Sequence, residues 1–109
     1  MIVWRRLFLI AIGLTVAGGI AHSVEPGVSQ KGKIFAPDEL SRTAGGTVRI
    51  ENDDAIPHNV QVTTPDGDKK NLGLQMPGDH ADIALDKSGD YMVTCGIHPK
   101  MKLVVHVQR

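Results

Sequence analysis

Beyond its first 21 residues the chain predicts an all-β fold, an antiparallel sandwich or barrel, on three observations. Short runs alternate apolar and polar residues with period two, turn signals separate them at close spacing, and no segment there carries a convincing helical pattern. Many short strands of this spacing, joined by repeated turns, build two packed sheets or a closed barrel.

Taken in order, residues 1–6 bear Arg5 and Arg6 and lead into the apolar run 7–16 and then small residues through Ala21, the three-part layout of an export signal. Cleavage after Gly19-Ile20-Ala21 fits. The order Arg5-Arg6-Leu7-Phe8-Leu9 also suits the twin-arginine route, so Sec and twin-arginine export both stand. An uncleaved membrane anchor is the alternative, because no charge falls between Leu7 and Val24, although Thr15, the glycines, His22 and Ser23 make that stretch a marginal span. Residues 22–30, with Pro26 and Gly27, read as a leader or a short edge segment, and the folded domain is expected over 31–109.

Within that domain Thr47-Val48-Arg49-Ile50-Glu51, Asn59-Val60-Gln61-Val62 and Asp82-Ile83-Ala84-Leu85 each present one apolar face. Tyr91-Met92-Val93-Thr94-Cys95 puts Tyr91, Val93 and Cys95 on one side, and the last strand puts Met101, Leu103, Val105 and Val107 on one side. Turns are signalled at Gly45-Gly46, Asn52-Asp53-Asp54, Pro65-Asp66-Gly67-Asp68, Pro77-Gly78-Asp79 and Ser88-Gly89-Asp90. Asp53-Asp54 and Asp66-Gly67-Asp68 are turn chemistry rather than calcium sites, since neither has the ligand spacing of an EF-hand loop.

The 109 residues allow one domain, and 12 basic residues balance 12 acidic ones. Without Arg5 and Arg6 the count is 10 against 12, a net charge of −2 with His neutral, and no basic stripe points to nucleic acid. The single Cys has no internal disulfide partner, and a lone thiol in an oxidising compartment calls for burial, reactivity or a bound metal.

A metal is what the neighbouring residues favour. Cys95-Gly96-Ile97-His98-Pro99-Lys100-Met101 sets a thiol, an imidazole and a thioether on one tight loop between two strands, and a second imidazole stands upstream in Pro57-His58-Asn59. Each residue alone has an ordinary explanation: Cys95 as a small buried hydrophobe, Met101 as core, a lone His as surface. Together His58, Cys95, His98 and Met101 make the donor set of a blue-copper centre, two imidazoles and a thiolate in a plane with a weak axial thioether. Structural zinc would draw on Cys and His alone, and four filled positions leave no place for a substrate. The reading is therefore one copper ion cycling between Cu(I) and Cu(II) in an electron carrier, not an enzyme. Copper storage or delivery with the same ligands is the alternative. A Cys-His thiol enzyme is disfavoured because Cys95 and His98 lie three residues apart with no orienting acid apparent. His80 and His106 read as surface residues, and His22 as a weak candidate for N-terminal chelation.

On Pro57-His58-Asn59-Val60, the approach Gly89-Asp90-Tyr91 before Cys95, and the compact loop Cys95-x-x-His98-Pro99-x-Met101, residues 31–107 resemble the cupredoxins of the plastocyanin/azurin superfamily, most nearly the amicyanin-like blue copper proteins. The resemblance implies a Greek-key β-sandwich with copper held by His58, Cys95, His98 and Met101. It also implies single-electron shuttling in the periplasm between a redox donor and acceptor, with a dehydrogenase, a cytochrome c or an oxidase as possible partners, and membrane contact only if the N-terminal segment stays uncleaved. By the same resemblance the Asn59 N–H reaches the Cys95 sulfur while its side chain ties the ligand loops together, and Ile56, Pro57, Met76, Pro77, Ile97 and Pro99 rim the outer edge of His98 for docking. Two residues depart from the pattern. Ile97 stands where such loops usually carry Pro and so keeps a backbone N–H able to donate to the Cys95 sulfur, and Lys100 replaces an aromatic or apolar residue, favouring a partner with an acidic docking patch.

Overall fold

The computed structural model describes residues 25–109, so the expected export signal or anchor lies outside the described residues. The chain forms β1 (Glu25–Lys31), β2 (Ile34–Ala36), β3 (Glu39–Thr43), β4 (Thr47–Asn52), β5 (His58–Thr63), β6 (Lys69–Gln75), β7 (His80–Ala84), β8 (Gly89–Cys95) and β9 (Lys102–Gln108). One sheet runs β2-β1-β4-β7 and the other β3-β9-β8-β5-β6. No helix among the described residues is long and apolar enough to cross a membrane.

The sheets are mixed rather than purely antiparallel. β1 lies parallel to β4, with Val28 beside Ile50, and β3 lies parallel to β9, with Leu40 beside Val105. Both pairs arise where the chain crosses from one sheet to the other, between β2 and β3 and again between β3 and β4. Alternation along a strand says which face is buried but nothing of the partner's direction. The segment read as a leader or short edge contributes β1, which sits inside its sheet between β2 and β4.

Every inward face expected from the alternation is buried. Val48, Ile50, Val60, Val62, Ile83, Leu85, Tyr91, Val93, Cys95, Met101, Leu103, Val105 and Val107 fill the space between the sheets together with Val28 and Phe35. The Tyr91 hydroxyl, carried into this core, accepts the Lys87 N–H at 3.0 Å.

Buried polar groups gather at the end of the sandwich where β4, β5 and β6 meet. Asn52 is fully buried, its side-chain amide donating to the Ile56 and Gln75 carbonyls, both at 3.0 Å. The Asn52 side-chain oxygen accepts the Asp54 N–H at 2.9 Å, and its backbone pairs with Asp79 and Gly78 in the β6–β7 turn. Gln75 donates to the Ile50 carbonyl and accepts from the Gln30 amide. Unpaired groups here would each cost about 1–3 kcal/mol, so these bonds fix the 53–57 loop closely.

Near the start of β8, His106 bridges β3, β9 and β8, with Nε2 2.6 Å from Glu39 and Nδ1 2.8 Å from Asp90. The Glu39 hydrogen bond foremost, then that of Asp90, raises the His106 pKa above its ordinary value of 6.5. A raised folded-state pKa stabilises fully below the unfolded value and loses its effect as pH rises through the folded one. Urea denaturation should accordingly show wild type gaining over His106→Gln below the ordinary value of 6.5 and the gap closing as pH rises through the raised pKa. A gap that widened with pH would contradict this assignment.

Candidate metal centre

Two neighbouring strands deliver donors to one end of the sandwich. β5 begins at His58 and β8 ends at Cys95, and in their antiparallel pairing Val60 faces Cys95, so the two residues arrive side by side. Residues 96–100 then turn back toward β9, closed by a hydrogen bond from the Met101 N–H to the His98 carbonyl at 3.0 Å. Gly96 permits the turn to pack closely: its N–H donates to the Asn59 carbonyl at 3.2 Å, and a Cβ there would lie 2.6 Å from Asn59 Oδ1.

Cys95 Sγ lies 3.8 Å from His58 Nδ1 and 3.6 Å from His98 Nδ1, and the two Nδ1 atoms are 3.1 Å apart. His58 and Cys95 are buried and His98 is half-buried. His58 Nε2 sits 2.6 Å from Asp54 Oδ2, which makes Nε2–H the donor and leaves the Nδ1 lone pair facing Cys95 and His98. Asp54 also accepts the Gly32 N–H at 2.8 Å and the Lys33 N–H at 3.2 Å. The Gly32 bond foremost, followed by the His58 bond, holds the Asp54 carboxyl down at about 2. The sulfur is supported too, by the Asn59 N–H at 3.3 Å.

The three inward atoms fit a bound transition metal. First-row ions bond imidazole nitrogen at about 2.0–2.1 Å and thiolate at about 2.3 Å, so donors around a trigonal plane stand roughly 3.5–3.8 Å apart. The two sulfur–nitrogen separations match, and the nitrogen pair is somewhat closer. One thiolate with two imidazoles suits copper.

Other expected residues fall into place unevenly. Met101 is buried at the foot of the loop, immediately before β9. The Asn59 N–H reaches the sulfur as expected, but its side-chain amide donates to Asn71 Oδ1 on β6 at 3.0 Å, and the ligand loops are tied instead by the Gly96–Asn59 backbone bond. Among the described residues the backbone N–H that donates to Cys95 Sγ is that of Asn59 and not that of Ile97, whose side chain is 49% exposed. Pro57, Met76, Pro77, Pro99 and Lys100 are exposed and Ile56 is half-buried. Asp54 was legible only as a turn residue. A carboxylate four positions before an expected His ligand was the available signal.

Fold and donors define a class, a two-sheet β-sandwich holding one soft transition-metal ion at its end. The family model for copper binding proteins of the plastocyanin/azurin family matches residues 22–108, and the chain belongs to that family. Its cofactor is one copper ion. The methylamine utilization protein MauL of Methylophilus methylotrophus is 40% identical over 67 residues, which cover 60% of this chain and 38% of that protein. Chloroplastic plastocyanin of Pisum sativum is 27% identical over 111 residues, covering 89% of this chain and 64% of that protein, so the chain spans well under the full length of either relative. Among solved structures, a Cu(I) form of an amicyanin variant superposes with a TM-score of 0.71 at 22% identity over 82% of this chain and 86% of that one. A purple cupredoxin from Nitrosopumilus maritimus gives 0.68 at 24% identity over 77% of this chain and 100% of that one. At these identities the structural likeness concerns the fold.

Proposed function

We propose that the protein is an exported, periplasmic type 1 copper protein carrying single electrons between redox proteins, with His58, Cys95, His98 and Met101 as its ligands. The observation that carries this reading is the convergence of Cys95 Sγ and the Nδ1 atoms of His58 and His98 within 3.8 Å of one another. Copper held there supplies a one-electron Cu(I)/Cu(II) couple. The protein's own part is to keep the donors in one arrangement for both oxidation states. Asp54 orients His58, the Asn59 N–H partly neutralises the thiolate and favours the reduced state, and the packed strand ends leave the donors little room to move.

His58 is wholly buried, so the half-buried His98 is the donor through which an electron reaches the surface. Exposed Pro57, Met76, Pro77, Pro99 and Lys100, with half-buried Ile56, form the docking rim in this reading. The turn carrying Met76 and Pro77 is tied to Asn52 beside the 53–57 loop, which supports its position at the metal end. Partners of the dehydrogenase, cytochrome c or oxidase kind are expected. The export-signal layout of residues 1–21 supports periplasmic placement.

The test is an optical titration of the processed protein with Cu(II). An intense band between about 400 and 800 nm, bleached by ascorbate and restored by an oxidant, is the expected result for a thiolate–copper bond. Stoichiometric, tightly held copper without colour would defeat the carrier reading and favour storage or delivery.

A further inference from the structure

Resting on the carrier reading, we infer that the partner docks over His98 with an acidic face, gripped by two lysines that the fold brings together from distant parts of the chain. Lys33, Ile97, His98, Pro99 and Lys100 line one shallow depression. Its floor is the apolar loop around the half-buried imidazole, and a cation stands in its lining from each of two segments. Neither ammonium has an ion-pair partner among the described residues, a state they share with Lys31, Lys69, Lys70 and Lys102, but these two alone among them line the depression beside His98. Charges left unpaired around an electron port are available to steer and orient a partner of opposite sign.

The placement of Lys33 adds an independent observation. Lys31–Ile34 is a two-residue hairpin turn in which Gly32 and Lys33 both have positive φ, 67° and 60°. A turn of this hand favours Gly or Asn at its central positions, and a lysine there sacrifices stability. Only its backbone is engaged internally, the N–H bonding the same Asp54 carboxylate that orients His58. The turn is thereby registered to the metal ligand while the Lys33 side chain is left for an outside contact.

The experiment uses cytochrome b5, whose haem edge is acidic, and cytochrome c, whose haem edge is basic, as probes for the copper-loaded protein. Ferrous cytochrome b5 gives one electron to Cu(II), leaving ferric haem and Cu(I), and no proton moves. Stopped-flow rates should fall steeply with ionic strength for cytochrome b5. At low salt Lys33→Gly and Lys100→Gln should each slow the reaction about 3-fold and together about 10-fold. Midpoint potentials measured in parallel correct for driving force. Lys33→Gly should also raise the melting temperature, so its rate loss cannot be damage to the fold. Amide NMR signals of residues 32–34 and of Ile97, His98 and Lys100 should shift on adding cytochrome b5 and not cytochrome c. That map needs no copper chemistry, so a missing visible band would count against the carrier alone. Rates indifferent to salt and to both substitutions, or shifts confined to a different face, would overturn the acidic-partner inference.

Discussion

Cys95→Ala is expected to give a folded protein that takes no colour with Cu(II). The sulfur is the one donor able to produce an intense visible charge-transfer band, and its two imidazole neighbours lie within 3.8 Å of it. Cys95 is 3% exposed and belongs to the core, so its loss also leaves a small void and deprives the Asn59 N–H of its acceptor. These changes together should lower the stability of the metal-free protein by about 1–2 kcal/mol, far too little to unfold a domain of this kind. Absorption spectra and urea denaturation separate the two effects. A visible band surviving in a folded Cys95→Ala protein would place the chromophore elsewhere and remove the basis for the type 1 assignment.

Gly27→Ala should be the most destabilising single-methyl change outside the metal end. A Cβ on Gly27 would lie 1.7 Å from the Arg49 carbonyl oxygen and 2.6 Å from its carbon, a collision with backbone that no side-chain rotation relieves. The register of β1 against β4 shifts between Glu25 and Val28, and this irregularity brings the two chains so close. Relief requires β1 to move away from β4, pulling Val28 from the core and disturbing the Gln30–Gln75 bond. The expected cost is about 3 kcal/mol, a fall in melting temperature on the order of 15 °C. Gly67→Ala is the comparison: Gly67 has φ 91° but open space around it, so only the backbone penalty of about 1 kcal/mol applies. Equal melting temperatures for the two variants would refute the close-approach explanation.

The parts of this fold legible in the sequence were those with one apolar face. Val48 and Ile50, Val60 and Val62, and the Tyr91–Cys95 and Met101–Val107 alternations each declared a buried side and kept it. The strands that escaped notice lack such a face. β6 leaves Leu72 and Leu74 exposed, 39% and 59%, at the edge of its sheet; β3 buries little beyond Leu40; and β1 turns Gln30 inward, a polar residue acceptable there because Gln75 meets it. Of the donor cluster, Cys95 and His98 could be read together because they are close in sequence. The Asp54–His58 contact could not, since Asp54 owes its place to Asn52 beneath it and to a hairpin more than twenty residues upstream.

The supports of the three donors have a consequence for the order in which the protein is made. The Asn59 N–H at the sulfur, the Asp54 carboxylate at His58 and the Asn52 amide under the loop are all furnished by the polypeptide, and each is secured by strand pairing. Strand pairing thus positions these supports without calling on the ion. Copper is then expected to enter a chain that has already folded, as the last step in making the protein.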